Sequence, residues 1–277
     1  MAFPHISLEA DPGLPVTLDA SHASCMDATV KIHVLTLFPS LFDAFLKESI
    51  VGIARDKGAL DVSTVDFRDF ATDRHHTVDD RPYGGGPGMV IKPEPVFDAI
   101  ENVRQTSGNE SMPLILFTPT GEPMDQRRAE WLAAQPESLM LCGRYEGFDE
   151  RIHEGFDWVE ISLGPFVMSG GEIAAMAAIE SAARLLPGVL GHEESAVQDS
   201  FAQNRLDHPH YTRPPSYRGR QVPDVLLSGD HERIARWREN QSEARTATWA
   251  DRFPRAFDEQ SPQGATSPHT WKEKAER

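Results

Sequence analysis

The chain has 277 residues, of which 39% are hydrophobic and 25% are charged. This composition is typical of globular domains that bury a core without disulfides or bound metals. The net charge of −16 argues against indiscriminate binding to nucleic acid, which needs clustered Lys and Arg. Residues 201–245 nevertheless contain eight Arg, no Lys and six acidic residues, so this region can attract a polyanion locally.

No targeting segment is predicted. No apolar stretch approaches the roughly 20 residues that cross a bilayer, and the first residues lack the basic region of a secretory signal. The chain has two cysteines, too few for a disulfide framework, and Cys142 is expected to be a buried small hydrophobe in a reducing, cytoplasmic protein. Residues 1–29 are expected to be a disordered extension. For residues 1–25, a misassigned start ahead of Met26 is the alternative.

Alternating strand and helix patterns predict an α/β domain with a mainly parallel sheet over residues 30–190. The first strand is residues 30–38, whose sequence VKIHVLTLF alternates and is rich in β-branched residues. A helix that follows Pro39 has helical spacing of its apolar residues from Leu41 to Leu46. Further strands are predicted at 60–67, 114–118, 138–142 and 157–162. Helices fit between them at about 94–105, 124–134, 148–154 and 171–186.

The second half of the chain changes character after Pro187 and Gly188, which end the last of these helices. The polar residues that follow predict a mobile linker over 191–206. Residues 207–260 are predicted to form a small, mostly helical domain, with a helix at about 229–243. The polar residues 261–277 are expected to be a disordered tail.

A glycine-rich loop occurs within residues 73–89, which read DRHHTVDDRPYGGGPGM. Its glycines and prolines cannot form a helix or a ladder, and glycine permits close approach of the backbone to a ligand. A bare glycine loop is more often a flexible connector, but ionisable residues crowd beside this one. It is neither a Walker A loop, which needs Gly-Lys-Ser/Thr, nor a dinucleotide fingerprint between a strand and a helix.

Three more glycine-containing turns follow predicted strands. They are TPTG at 118–121, LCGRYEGFD at 141–149 and LGPFVMSGGE at 163–172. Such turns leave backbone N–H and C=O groups open to a ligand, and ligands usually bind at the carboxyl edge of an open α/β sheet. The turns therefore indicate a binding site at this edge, although ordinary connecting loops stay an alternative on spacing alone.

Two charged residues outside these turns are candidates for catalysis. Asp199 is a candidate general base and Arg184 a candidate charge stabiliser, although a lone Asp in a polar loop is more often a cap or a solvated charge. Histidines are numerous, at positions 75, 76, 192, 208 and 210. No HExxH motif and no pair of cysteines with zinc spacing is present, so no metal site is predicted.

Long segments of the chain resemble the TrmD family of bacterial tRNA (guanine-N1)-methyltransferases, in the family's order and over about residues 30–245. They are TLFPSLF, RDFATDRHHTVDDRPYGGGPGM, LCGRYEGFDER, VMSGGE, PGVLG, DSFA, LDHPHYTRP, and VPDVLLSGDH with IARWR. The resemblance implies a SPOUT-type domain with a deep trefoil knot, which composition cannot indicate because knots are rare. It also implies a homodimer with active sites at the subunit interface, and tRNA binding by residues 207–260.

The activity that the resemblance implies is methyl transfer from S-adenosylmethionine to N1 of the guanine at tRNA position 37. This base lies 3′ to the anticodon and follows another guanine. Asp199 would remove the N1 proton, and Arg184 would stabilise the negative charge that develops on the O6 side. The family is associated with Mg²⁺ dependence, and no dedicated magnesium cage is recognisable in this sequence.

Three alternative functions are considered. The first alternative is a knotted methyltransferase that acts on a different RNA position or base. An RNA-binding protein without catalysis fits less well, because Arg184 and Asp199 are both present. A phosphate-binding NTPase fits poorly, because the glycine loop lacks a lysine.

The resemblance also implies the site residues, carried over by position. The donor pocket comprises Phe117, Thr118, Pro119, Gly121, Gly143, Tyr145, Glu146, Gly147, Leu163, Gly164, Phe166, Val167, Met168, Gly170 and Gly171. The tRNA substrate would contact His76, Asp80, Gly85, Gly86, Ser200 and Arg213. Three positions depart from the family pattern: Pro165-Phe166 replaces a usual Asp-Tyr, Ala174 a common Pro, and Thr118 a usual Ser. The departures preserve shape and backbone contacts but remove a hydroxyl and a carboxylate.

Overall fold

A computed structural model of the chain describes residues 29–191 and 199–253. Contacts between residues divide these into two compact units, the first ending at Gly191 and the second made of the described residues after it. The predicted extension, apart from Thr29, and the predicted tail lie outside the described residues. Among the residues described, no helix is long and apolar enough to cross a membrane.

The first unit is built on a parallel sheet. Its strands are β1 (Val30–Thr36), β2 (Leu60–Asp66), β3 (Asp79–Asp80), β4 (Val90–Ile91), β5 (Leu114–Pro123), β6 (Glu137–Leu141) and β7 (Trp158–Ser162). Five of them form one sheet in the order β2-β1-β6-β5-β7, and every neighbouring pair in it is parallel. β3 and β4 pair with each other in antiparallel fashion. The predicted α/β class with a mainly parallel sheet is therefore confirmed.

Helices connect these strands. They are α1 (Phe42–Phe45), α2 (Ser49–Asp56), α3 (Pro93–Ser107), α4 (Gln126–Ala133), α5 (Glu150–Gly155) and α6 (Glu172–Ala183), with 3₁₀ turns at Pro39–Leu41 and Phe67–Phe70. The four helices predicted between later strands correspond to α3–α6, with ends that differ by at most three residues. The single helix predicted after Pro39 is instead a 3₁₀ turn and the short α1. α2 follows them as a separate helix, because Ser49 adopts a left-handed φ of 55°.

The core has one layer on each face of the sheet. Ile32 and Val34 of β1 belong to the layer that contains α1, α2, α4 and α6, whereas Leu35 belongs to the layer that contains α3 and α5. Alternate residues of each strand thus enter different layers, as the pleat requires. Cys142 is fully buried in the first of these layers, which confirms the prediction for this residue. Burial on both faces explains why the strands read as nearly continuous apolar runs.

β5 contains a bulge. Phe117 and Glu122 both pair with Ile161 of β7, so residues 118–121 leave the ladder between them. After the bulge, β5 can pair with β7 again only because residue 121 is glycine. A Cβ on Gly121 would lie 2.6 Å from the Ile161 nitrogen, closer than van der Waals contact permits.

Substitution of Gly121 by alanine should therefore destabilise the first unit. We expect Gly121→Ala to lower the free energy of unfolding by about 1–3 kcal/mol, the usual cost of overpacking, as measured by urea-induced unfolding. Gly191→Ala is the matched control, because a Cβ there meets no atom within 4 Å. Equal stability of the two variants would contradict the proposed fit of the bulge against β7.

The second unit is small, and most of its regular structure is helical. It contains β8 (Ser216–Tyr217), β9 (Arg220–Gln221), α7 (Asp224–Leu227) and α8 (His231–Arg252). β8 and β9 form a hairpin. Asp230 caps α8 by accepting a hydrogen bond from the backbone N–H of Arg233, at 3.1 Å. α8 continues nine residues beyond the predicted end at 243, because its last turns pack against the chain that enters the unit.

That entering chain, residues 199–206, lies along α8. The ring of Phe201 contacts that of Trp249, with centroids 6.0 Å apart. The Leu206 N–H donates to the Thr246 hydroxyl at 2.9 Å. This part of the predicted linker is thus hydrogen-bonded within the second unit, while residues 192–198 lie outside the described residues. That the segment is mobile without tRNA stays a prediction.

Candidate functional site

A cavity of about 430 Å³ opens at the carboxyl edge of the sheet in the first unit. Its walls come from the β5 bulge, from the loop that follows β6 and from the turn between β7 and α6. Parallel strands end at the same edge, so the segments that follow neighbouring strands meet there. The three turns that the sequence singled out are therefore the three walls of one cavity.

Fourteen of the fifteen residues expected in a donor pocket line this cavity. The exception is Gly121, which instead packs against the backbone of β7. The structure adds lining residues that sequence reasoning did not select. They are Leu116, Arg144, Phe148, Glu150, His153, Ile161, Ser162, Ser169 and Ala174.

Glycines let the walls approach one another. A Cβ on Gly143 would lie 2.7 Å from the Phe148 ring, and one on Gly171 would lie 2.9 Å from the Cα of Cys142. Gly171 also donates its backbone N–H to the Gly143 carbonyl at 3.0 Å. The loop after β6 and the start of α6 are thus in backbone contact, at a separation that side chains would prevent.

A buried ion pair joins the same two walls. The side chain of Glu172, at the start of α6, is 1% exposed, and its Oε2 lies 2.9 Å from Nη2 of Arg144. Its Oε1 accepts hydrogen bonds from Thr36 at the end of β1, at 2.9 Å, and from Arg144 Nε, at 3.2 Å. The Arg144 guanidinium also lies over the Phe38 ring, 4.5 Å from its centroid.

Sequence reasoning missed this network. Glu172 appeared only as the last residue of the SGGE segment, although a charged residue that opens an otherwise apolar helix is a signal for a buried partner. The network has an effect on Cys142: burial, and next the Glu172 carboxylate, raise the pKa of its thiol. Cys142 therefore stays a protonated core residue.

The glycine-rich loop connects β3 to β4, and we call residues 79–91 the glycine hairpin. Gly84, Gly85, Gly86 and Gly88 all have positive φ. The hairpin is attached to the loop after β6, because the Ile91 N–H donates to the Gly147 carbonyl at 2.9 Å and the Glu146 N–H to the Met89 carbonyl at 3.0 Å. It therefore lies beside the cavity.

The substrate residues expected near this hairpin are on the surface. His76, Asp80, Gly85 and Gly86 are all exposed. The turn that carries His76 is held by Asp73, which accepts hydrogen bonds from the backbone N–H groups of Thr77 and His75. These bonds lower the pKa of Asp73, so at neutral pH its carboxylate caps the turn.

The two proposed catalytic residues lie in different units. Arg184 is half-buried at the carboxyl end of α6, and Asp199 is half-buried at the start of the described part of the second unit. In the second unit, Ser200 accepts a hydrogen bond from the Asp207 N–H at 3.0 Å, and Arg213 is exposed. That Asp199 and Arg184 act on one substrate stays a prediction.

The first unit is an α/β domain with a ligand-sized cavity at the carboxyl edge of a parallel sheet, and an arginine-rich helical unit follows it. A family model described as "tRNA (Guanine-1)-methyltransferase TrmD" matches residues 30–253. The chain therefore belongs to the TrmD family, and the resemblance seen in the sequence is confirmed.

Curated relatives match over most of their length. Proteins named tRNA (guanine-N(1)-)-methyltransferase from Geobacillus kaustophilus and Anoxybacillus flavithermus are 51% and 53% identical to the chain over 217 residues. In both, the match covers 78% of this chain and 88% of the relative. A relative of the same name from Dehalococcoides mccartyi is 50% identical, with 87% of its length covered.

The buried ion pair can be tested with a double-mutant cycle. We expect Glu172→Gln and Arg144→Met to show a coupling free energy of about 1–3 kcal/mol in urea unfolding. Either single substitution leaves the charge of the other residue buried without its partner, whereas the double variant removes both charges. The exposed pair Glu122–Arg128 is the control, and its coupling should stay below about 1 kcal/mol. Additive effects of the two cavity substitutions would show that the pair does not hold the walls together.

Proposed function

We propose that the chain transfers a methyl group from S-adenosylmethionine to N1 of the guanine at tRNA position 37. The observation that carries the proposal is the identity of about 50% over 217 residues to proteins named tRNA (guanine-N(1)-)-methyltransferase. The cavity supports it, because fourteen of the fifteen residues expected to bind the donor line a single space. Its volume of about 430 Å³ is within the range of small-molecule sites.

The walls suit a donor that is recognised largely through backbone groups. Gly143, Gly147, Gly164 and Gly170 line the cavity and carry no side chain of their own that would keep a ligand away from the backbone. Phe117 and Phe166 supply apolar surface. Three departures from the family pattern, Thr118, Phe166 and Ala174, line the cavity. They are compatible with this mode, because Thr118 keeps a hydroxyl and a backbone contact does not depend on the hydroxyl that Phe166 lacks.

We propose that this domain is a SPOUT-type fold with a deep trefoil knot. A knot requires that one segment pass close to another that is distant in sequence. The contact of Gly171 with Gly143, together with the bridge between Arg144 and Gly170, supports such a passage. The ion pair of Glu172 with Arg144 would then hold the crossing closed.

In the proposed reaction, guanine N1 is the nucleophile, and it is a weak one. Guanine N1 carries a proton at neutral pH, so it must lose that proton as it attacks the methyl carbon of the sulfonium donor. Asp199 accepts the proton, the methyl–sulfur bond breaks, and S-adenosylhomocysteine leaves. Arg184 stabilises the negative charge that develops on the O6 side of the base.

Magnesium is proposed to assist, as the family resemblance suggests. Two carboxylates that line the cavity, Glu146 and Glu150, are oxygen donors of the kind that Mg²⁺ prefers. Mg²⁺ usually keeps several waters and takes only one or two carboxylates, so these two residues fit its needs. A bound ion would supply positive charge beside the substrates.

We propose a homodimer whose active site is completed at the subunit interface. Large apolar side chains lie exposed beside the cavity and at the start of α6: Phe166 is 54%, Val167 85% and Ile173 58% exposed. Contiguous exposed apolar surface is typical of an interface. The second unit would bind tRNA through its exposed arginines, and the protein would act in the cytoplasm, where its substrate is.

Asp199 is tested by substitution. We expect Asp199→Ala to slow single-turnover methyl transfer to a tRNA transcript by about 10²–10⁴-fold, the usual contribution of a general base. Binding of S-adenosylhomocysteine, measured by calorimetry, should not change. Asp224→Ala, an exposed carboxylate of the same unit, is the control and should react at the wild-type rate. A near wild-type rate for Asp199→Ala would refute the mechanism.

The target base is tested with transcript tRNA that has or lacks the guanine before position 37. We expect 1-methylguanosine at position 37, located by mass spectrometry, only when the preceding base is guanine. Modification at another position or on another base would favour the alternative knotted methyltransferase.

A further inference from the structure

Three metal-ligand side chains of the second unit converge on one point. Asp207, His208 and His210 each offer a ligand atom, and these atoms all lie within 4.8 Å of one another. Oδ1 of Asp207 is 2.7 Å from Nδ1 of His208, and Oδ2 is 2.7 Å from Nε2 of His210. The two imidazole rings are close and tilted, with centroids 4.4 Å apart and planes at 45° to each other. One carboxylate thus orients two imidazoles.

The backbone that carries these residues is anchored on both sides. The Asp207 N–H donates to the Ser200 hydroxyl at 3.0 Å, and the Asp207 carbonyl accepts from Nη1 of Arg245 in α8 at 2.9 Å. Pro209, between the two histidines, has its φ restricted by its ring. These two contacts involve only the backbone of Asp207, whereas a third, from the His208 N–H to Asp207 Oδ1 at 2.6 Å, engages one of the proposed ligand atoms.

We propose that Asp207, His208 and His210 together bind one zinc ion. Two imidazole nitrogens and a carboxylate are a ligand set that Zn²⁺ favours. Zinc bonds of about 2.0–2.2 Å place tetrahedral ligand atoms roughly 3.3 Å apart, so small rotations of the side chains suffice. The ion replaces the hydrogen bond between Asp207 and His210 and the close contact between Asp207 and the His208 ring with bonds to the metal.

Three protein ligands leave the fourth zinc position to water. Both histidines line a cavity of about 380 Å³, which Arg213 and Arg238 also line. Arg238 opposes a nearby cation, and the Asp207 carboxylate offsets that repulsion. The same arginines attract anions, so an anionic oxygen can take the place of the water.

No zinc motif predicted this site. The ligands are adjacent residues of one segment, DHPH, without the HExxH or paired-cysteine spacing of familiar zinc sites. Only the fold of the segment shows that its carboxylate reaches both rings. Motif spacing alone predicted no metal site, and the proposed zinc site differs from that prediction.

The test is calorimetric titration of the full chain, carrying no histidine tag, with Zn²⁺. We expect one ion to bind to the wild type, and His210→Ala to bind it at least about tenfold more weakly, because even the loss of an outer-shell partner costs roughly 10–100-fold in affinity. His231→Ala, an exposed histidine of the same unit, should bind like the wild type. The His210 side chain is 69% exposed, so its removal should leave the circular dichroism spectrum unchanged.

Cobalt provides a second measurement. Co²⁺ should give visible absorption bands of a nitrogen- and oxygen-bound ion with the wild type, and these bands should be lost in the double variant His208→Ala/His210→Ala. Equal Zn²⁺ affinity of the wild type and this double variant, or no binding by either, would overturn the proposal. The result is independent of methyl transfer, so the zinc site and the proposed activity can fail separately.

Discussion

The buried carboxylate of Glu172 is the interaction on which the cavity depends. It lies where β1, the loop after β6 and the start of α6 meet, and it contacts a residue from each of the first two. An ionised carboxylate in a core is costly unless it is paired and hydrogen-bonded. Glu172 meets both conditions, through Arg144 and Thr36. The segments are therefore held in one arrangement, and the cavity has walls before any ligand arrives.

Glycine makes this arrangement possible. The ion pair can form only if α6 starts against the loop after β6, and the contact of Gly171 with Cys142 and Gly143 allows that approach. Gly121 plays the same part in the β5 bulge. Five glycines line the cavity beside residues that carry side chains, so part of its surface is backbone.

Charge is distributed unevenly between the two parts of the chain. The whole protein carries −16, yet residues 201–245 have more arginines than acidic residues. Attraction of a polyanion depends on the local field rather than on the total, so the second unit is the natural docking surface for tRNA in the proposed function. The acidic remainder limits non-specific binding elsewhere. A zinc ion at Asp207 would add positive charge to this same unit.

The amino-acid sequence by itself determined the five strands of the parallel sheet. Short apolar runs rich in β-branched residues, such as that of β1, are typical of buried strands. It also determined the family, and it identified fourteen of the twenty-three residues that line the cavity, because those fourteen lie in long specific segments. It did not separate α2 from the turn before it, extend α8 to Arg252, or pair Glu172 with Arg144. Nor did it bring the Asp207 carboxylate to both histidines. These features depend on contacts between residues distant in sequence or on the path of the backbone, which local patterns do not encode. The tertiary structure decided them, because a charged group pairs with whichever residues the fold brings within reach of it.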